Sequence, residues 1–165
     1  MTAKQIVLEQ LRACSNTNAW FVSAAGALRG LDAARASRKG GEDGHSVWNV
    51  VNHIVYWNDR YLARFTGKTL DKAVSSEATF QGPRSSGTDA QWQATVAELD
   101  RVMAGWIGAL ETADDARLDG KVRAEGDETW VQALTNMTIH TAYHVGQIVT
   151  LRKEHGDWDP AQGVS

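Results

Sequence analysis

The segment 129–153 carries one uninterrupted helical pattern, TWVQALTNMTIHTAYHVGQIVTLRK, which is the clearest structural signal in the sequence. Thr129 and Gln132 have the spacing of a capping box, in which each side chain satisfies a backbone N–H group at the start of a helix. Arg152 and Lys153 place positive charge at the other end, where a helix terminus favours it. The segment is therefore predicted to be one long helix with well-marked ends.

Two histidines of this helix share a face, because His140 and His144 are four residues apart. Their neighbours on that face are mostly apolar, namely Ala133, Met137, Ile148 and Leu151. The two imidazoles are therefore predicted to point into a core rather than into water, and groups buried in this way need polar partners.

Three further segments carry a helical pattern. Residues 2–30 space their apolar side chains for one buried stripe, weakened by two asparagines. Ser46 is a favourable N-cap for a second helix over residues 46–65, and Thr88 opens a third helix over residues 88–110 with a capping box. Each of these segments has an apolar side suited to a core.

The connections complete the predicted architecture. Residues 66–87 are rich in glycine and serine and show no period, and residues 113–127 are polar. A connection of about 20 residues is unusual in a compact domain and indicates a crossover or a functional loop. Four helices without convincing strand pairs predict an all-α four-helix bundle with long crossover connections. We expect the bundle to span residues 1–157, with a loose tail at 158–165.

Composition restricts the functional classes. The 165 residues, 42% of them hydrophobic, are enough for one domain with a full core. A net charge of −3 without a basic cluster argues against nucleic acid or an anionic membrane as partner, so we expect a small-molecule substrate. Cys14 is the only cysteine and has no neighbour that would activate it, which predicts a buried, inert thiol. No signal-peptide or membrane-spanning stretch occurs, and a cytoplasmic location is the default expectation.

A third histidine gives the pair a possible chemical role. His140 and His144 can bind a metal ion from one side, and His53, on the apolar side of the second helix, could approach from a facing helix. Such a site would leave coordination positions for water or substrate. The segment HTAYH lacks the glutamate of the HExxH motif, so the zincin arrangement is absent. A core histidine more often satisfies a hydrogen bond than binds a metal, so spacing alone leaves both roles open.

Two motifs in combination resemble those of a known family. Trp48 followed by His53, together with the sequence HTAYHVGQI at 140–148, is similar to the DinB/YfiT-like superfamily of metal-binding four-helix bundles. The resemblance spans nearly the whole chain. It implies a divalent metal held by His53, His140 and His144, and a homodimer. Zinc or nickel is expected first, although iron, manganese and copper also suit three imidazoles.

The resemblance leaves several functions open. Members of the superfamily include thiol S-transferases that use bacillithiol or mycothiol, a mycothiol-dependent maleylpyruvate isomerase, and proteins described as metal-dependent hydrolases. A metal on three imidazoles can activate bound water or hold a thiol as its thiolate. We favour an S-transferase that joins a low-molecular-weight thiol to a small electrophile. The alternatives are a metal-dependent hydrolase and a non-catalytic metal- or ligand-binding stress-response protein. No catalytic group is predicted beyond metal-bound water or thiolate.

Four polar or aromatic residues are candidates for supporting roles. Asn49 and Trp57 flank His53 by one helical turn and could line the mouth of a metal pocket, although Trp57 is also a natural packing residue. Asn136 and Gln147 could orient the metal ligands, or could equally cap a neighbouring carbonyl group.

The other aromatic and histidine side chains are assigned structural roles. Trp20, Trp92 and Trp106 are predicted to pack in the core. Tyr143 points about 100° away from His144 around the helix, which predicts a position at a helix interface or a dimer surface. His45 lies in a loop and is not predicted to be a ligand.

Overall fold

The computed structural model describes residues 1–41, 44–82 and 86–163. Within these ranges the chain is mostly helical, has no strand, and contains no helix long and apolar enough to cross a membrane. Two short 3-10 helices, Asp115–Asp119 and Pro160–Gln162, accompany the α-helices. The α-helices are α1 (Ala3–Ser15), α2 (Ala24–Leu28), α3 (Ala33–Ala36), α4 (Val47–Phe65), α5 (Ser76–Gln81), α6 (Asp89–Thr112) and α7 (Trp130–Glu154).

The four longest helices form the predicted bundle. Helix α1 packs against α6 and α7, and α4 also packs against α6 and α7. The all-α prediction is therefore confirmed, and each long helix buries its apolar side between two neighbours.

Helices α4 and α6 run in the same direction. The rings of Trp48 and Trp92 meet near the start of the two helices, with centroids 5.3 Å apart. The rings of Phe65 and Trp106 meet towards their ends, with centroids 5.4 Å apart. The connection between two parallel neighbours must return along the length of the bundle, so residues 66–88 form the expected crossover.

Local side-chain chemistry fixes where the long helices begin. In each of the four, a serine or threonine accepts a hydrogen bond from the backbone N–H three residues later, and that later residue's side chain accepts one from the capping residue's N–H. These pairs are Thr2 with Gln5, Ser46 with Asn49, Thr88 with Gln91, and Thr129 with Gln132. The predicted starts of the last three helices are thereby confirmed.

The prediction of one helix over residues 2–30 is wrong, because α1 ends at Ser15. The side chain of Asn18 accepts hydrogen bonds from the backbone N–H and the hydroxyl of Ser23, at 3.0 and 2.9 Å. The Ser23 hydroxyl oxygen in turn accepts from the N–H of Gly26 and caps α2. Hydrogen bonds from these short polar side chains take the place of the backbone hydrogen bonds that a continuous helix would form, so the chain turns here.

The crossover contains a helix that the sequence pattern did not predict. Helix α5 lies within the segment 66–87 and begins after Ser75, whose hydroxyl oxygen accepts a hydrogen bond from the N–H of Ala78. Six residues are too few to show a helical period, which explains the missed prediction. Residues 83–85 of the same connection lie outside the described residues.

Large indole rings fill much of the core. Trp48, Trp92, Trp106 and Trp130 are fully buried, so the packing roles predicted for Trp92 and Trp106 are confirmed. The packing role predicted for Trp20 is wrong, because this side chain is 97% exposed. Trp20 lies in the turn between α1 and α2, outside the stripe that a continuous helix would have buried.

A buried arginine fastens the end of α7. The guanidinium of Arg152 is 3% exposed, forms an ion pair with Asp157 at 3.1 Å, and donates hydrogen bonds to the carbonyl oxygens of Ala27 and Arg29. The ring of Trp158 lies 5.3 Å from the guanidinium carbon. The start of the segment 158–165 thus packs against the bundle, and the boundary at 157 stays a prediction.

The thiol of Cys14 is buried and donates a hydrogen bond to the carbonyl oxygen of Thr138 at 3.3 Å, which agrees with the prediction of an inert group. Burial raises its pKa to about 11.

At pH 8 we expect Cys14 to react with an aromatic disulfide reagent at least about 100-fold more slowly in the folded protein than in guanidinium chloride. Stopped-flow absorbance measures both rates, and similar rates would contradict the buried, protonated state.

Candidate metal centre

Three histidines from two helices converge in the bundle. His53 lies in the second turn of α4, and His140 and His144 lie on successive turns of α7. The Nε2 atom of His140 is 3.1 Å from Nε2 of His53 and 3.0 Å from Nε2 of His144. Within the described ranges these residues form the one group of histidine, cysteine or acidic side chains arranged to hold a metal ion, with ligand atoms within 4.8 Å of one another. The structure therefore brings together the three residues that the sequence singled out.

A hydroxyl group contacts the ring nitrogen of His53 that does not face His140. Oγ1 of Thr79 lies 2.5 Å from Nδ1 of His53 and 2.5 Å from the carbonyl oxygen of Ser76. A carbonyl oxygen can only accept, so the single hydroxyl hydrogen of Thr79 goes to Ser76. The hydroxyl oxygen then accepts from Nδ1–H of His53, which leaves Nε2 of this imidazole with a free lone pair.

A similar arrangement holds His144. Its Nδ1 donates to the side-chain oxygen of Gln147 at 2.7 Å, so its Nε2 also keeps a lone pair. The side-chain nitrogen of Gln147 donates to the hydroxyl of Tyr143 at 3.1 Å. Tyr143 is 62% exposed on the outer side of α7, and its predicted place at an interface stays a prediction. Gln147 is thus in a position to orient a ligand.

The three nitrogens have the spacing and chemistry of a cation site. Nε2 of His140 faces the lone pairs of His53 and His144, and its neutral ring has at most one hydrogen at that atom. One hydrogen cannot point at both neighbours, so at least one contact opposes two lone pairs. A cation among the three atoms removes this repulsion. A tetrahedral ion with bonds of about 2.1 Å would separate its ligand atoms by about 3.4 Å, which is only slightly more than the 3.0 and 3.1 Å observed.

The electrostatic environment keeps the imidazoles neutral. Burial, and to a smaller extent the neighbouring histidines, lower the pKa of His53 to about 3 and that of His140 to about 4. The pKa of His144 is also lowered, mainly by burial. Neutral imidazole is the form that binds metal ions, so these residues need no deprotonation at neutral pH.

A pocket of about 370 Å³ opens onto the histidines between α4 and α7. Trp57 and Asn136, two of the predicted supporting residues, line this pocket, and their supporting roles stay predictions. Glu128 also lines the pocket and was not recognised from the sequence, because it precedes α7 in a polar connection without a motif. The lining comprises His53, Trp57, Tyr61, Ser76, Glu128, Ala133, Asn136, Met137 and His140.

Asn49 lies beside the site rather than among these lining residues. Its side-chain oxygen accepts from the N–H of Ser46 at 2.9 Å, and its side-chain nitrogen donates to the carbonyl oxygen of Phe80 at 2.9 Å. Asn49 therefore both caps α4 and attaches α5 to it. The Phe80 ring stacks between the imidazoles of His45 and His53, at centroid distances of 3.9 and 4.0 Å.

A larger cavity of about 850 Å³ lies between α4, α5 and α6. Its lining is mostly apolar, includes Val55, Leu70 and Val74, and contains no histidine among the described residues. Thr79 borders this cavity as well, so α5 separates it from the histidine cluster.

Comparison with known proteins identifies the family. No curated protein and no solved structure matches the chain. The model of the DinB superfamily matches residues 23–148, which is more than half of the chain and includes all three histidines of the cluster. The chain therefore belongs to the DinB superfamily.

Proposed function

We propose that His53, His140 and His144 bind one divalent metal ion, zinc or nickel first, and that the protein transfers a low-molecular-weight thiol to a small electrophile. One observation carries the metal part of this proposal. Nε2 of His140 lies 3.1 Å from Nε2 of His53 and 3.0 Å from Nε2 of His144. Hydrogen bonds at Nδ1 of His53 and of His144 leave the Nε2 atoms of these two rings with free lone pairs.

The pocket supports a reactive rather than a closed site. A bound ion would supply Lewis acidity that favours the thiolate form of a thiol at neutral pH. Two of the three imidazoles, those of His53 and His140, line the pocket, so a small molecule in the pocket could reach their ring nitrogens. Trp57, Tyr61 and Met137 offer apolar contacts to an electrophile, and Asn136 offers hydrogen bonds.

Thiol transfer also rests on the resemblance to superfamily members that are thiol S-transferases, which is an argument by analogy. A second candidate, metal-dependent hydrolysis, is favoured by Glu128, because a carboxylate in the pocket lining could accept a proton from water. A non-catalytic metal- or ligand-binding role is the third, and activity measurements separate the three.

The homodimer and the cytoplasmic location are proposals of the same kind. Ile139 and Tyr143, four residues apart on α7, are 61% and 62% exposed. Apolar side chains in such positions could contribute to a dimer surface.

The metal content of tag-free protein tests the site directly. By elemental analysis we expect about one divalent ion per chain in the wild type and less than about 0.1 in His144→Ala, because the three-nitrogen set is broken. His155→Ala is the matched control, since His155 lies roughly 16 Å further along the helix axis and should leave the metal content unchanged. A wild type without metal, even after incubation with zinc or nickel, would contradict the proposal.

The metal-loaded and metal-free proteins then distinguish the reactions. We expect the loaded protein to accelerate the reaction of a small thiol with an aryl halide, followed by absorbance. Ester cleavage without thiol would instead support the hydrolase. Metal binding without either activity would favour the non-catalytic role.

A further inference from the structure

The short helix α5 makes direct contact with the histidine cluster. Thr79 is 2% exposed, and its hydroxyl lies between the carbonyl oxygen of Ser76 and Nδ1 of His53. Both distances are 2.5 Å. Because the carbonyl can only accept, this hydrogen-bond chain has one direction, from His53 through Thr79 to Ser76.

The same helix also holds the plane of the imidazole. The ring of Phe80 stacks on that of His53 with an interplanar angle of 13°. Two asparagines of α4 attach α5 at this point, since Asn49 donates to the carbonyl oxygen of Phe80 at 2.9 Å and Asn52 donates to that of Gln81 at 3.1 Å. The position of Thr79 relative to His53 is therefore fixed by several contacts rather than by one.

We propose that Thr79 is a positioning residue for His53. Its hydroxyl oxygen selects the tautomer with hydrogen on Nδ1 and keeps the lone pair of Nε2 directed at the other two histidines. The effect on metal affinity rests on the proposed function, whereas the effect on the tautomer does not. The crossover connection is then a part of the site, because it supplies the Thr79 hydroxyl that orients His53.

His140 provides an internal comparison. In the part of the chain that the structure describes, Nδ1 of His140 has no hydrogen-bond partner among protein groups, whereas Nδ1 of His53 and of His144 each has one. The protein therefore orients the rings of His53 and His144 through hydrogen bonds, whereas the ring of His140 is free to adjust when an ion binds. Without the Thr79 hydroxyl, only His144 of the three histidines would keep a hydrogen bond at Nδ1.

Two substitutions separate the hydroxyl from the shape of the side chain. Thr79→Val removes the hydroxyl at nearly constant volume, and Thr79→Ser keeps it. From competition with a chromogenic chelator we expect zinc affinity about 10- to 100-fold weaker in Thr79→Val and close to the wild type in Thr79→Ser. Thr112→Val is the matched control, because the Thr112 hydroxyl donates to a helix carbonyl at a distance from the cluster.

Nitrogen-15 spectra of the metal-free proteins at pH 8 report the tautomer. We expect hydrogen on Nδ1 of His53 in the wild type and in Thr79→Ser, and a mixture of tautomers in Thr79→Val. Thr79→Ala serves the same purpose if the valine variant does not fold. An unchanged tautomer in the variant without the hydroxyl overturns the inference, even if zinc affinity falls.

The two proposals fail in different ways. If the wild type binds no metal, the proposed function fails, and the His53 tautomer in these variants still decides the role of Thr79. If the wild type binds zinc and Thr79→Val shifts the tautomer without weakening zinc binding, the proposed support of metal binding is overturned while the metal site stands.

Discussion

Replacing Arg152 by alanine is expected to lower the free energy of unfolding by about 3–5 kcal/mol. The guanidinium is almost fully buried and satisfies the carbonyl oxygens of Ala27 and Arg29 as well as the carboxylate of Asp157. Its removal leaves a largely buried carboxylate without its partner and three carbonyl groups, those of Ala27, Arg29 and Asp157, without this donor. Guanidinium chloride denaturation followed by circular dichroism at 222 nm measures the change.

Two further variants sharpen this test. Lys153→Ala changes the exposed neighbour on the same helix and should alter the free energy of unfolding by less than about 0.5 kcal/mol. Arg152→Lys keeps the charge but cannot reproduce the planar set of donors, so we expect an intermediate loss. A wild-type denaturation midpoint in Arg152→Ala would show that the buried ion pair contributes no net stability.

Zinc is expected to stabilise the folded protein strongly. At a free concentration of about 100 times the dissociation constant, a ligand that binds only the folded state raises the free energy of unfolding by about 2.7 kcal/mol. For a chain of this size that corresponds to roughly 5–10 °C in melting temperature. The shift should be absent in His53→Ala, because the remaining two histidines form an incomplete site. Differential scanning fluorimetry measures both proteins.

The controls identify the origin of the shift. Chelation with EDTA should return the wild type to its metal-free melting temperature, and His155→Ala should respond to zinc like the wild type. An equal shift in His53→Ala would place the zinc elsewhere on the protein. A metal-free wild type that is already unfolded would instead assign the ion a structural role.

The bundle was predictable because its determinants are local. Capping pairs such as Ser46 with Asn49 and Thr129 with Gln132 act within one helical turn, and an apolar period extends over a whole helix. Both signals are present in a short window of sequence. The break after Ser15 was not predictable from that period, because apolar residues continue with similar spacing through the turn that Asn18 and Ser23 stabilise.

The site was predictable only in part. The spacing of His140 and His144 determines that they share a helix face, but nothing in the sequence alone fixes their distance from His53 on another helix. The resemblance to a family supplied that link. Thr79 and Glu128 were missed, because their contacts depend on the path of the two connections, which carry neither a period nor a motif.

The parallel arrangement of α4 and α6 has a consequence for how the chain reaches its final state. The crossover that this arrangement requires brings Thr79 to His53 across 26 residues, and α7 brings His140 to it across 87. Contacts between residues far apart in sequence are expected to form late in folding, because the entropy cost of closing the loop is incurred before the contacts stabilise the chain. We therefore expect the three nitrogens to meet only in a nearly complete bundle, so that uptake of an ion would follow folding rather than start it.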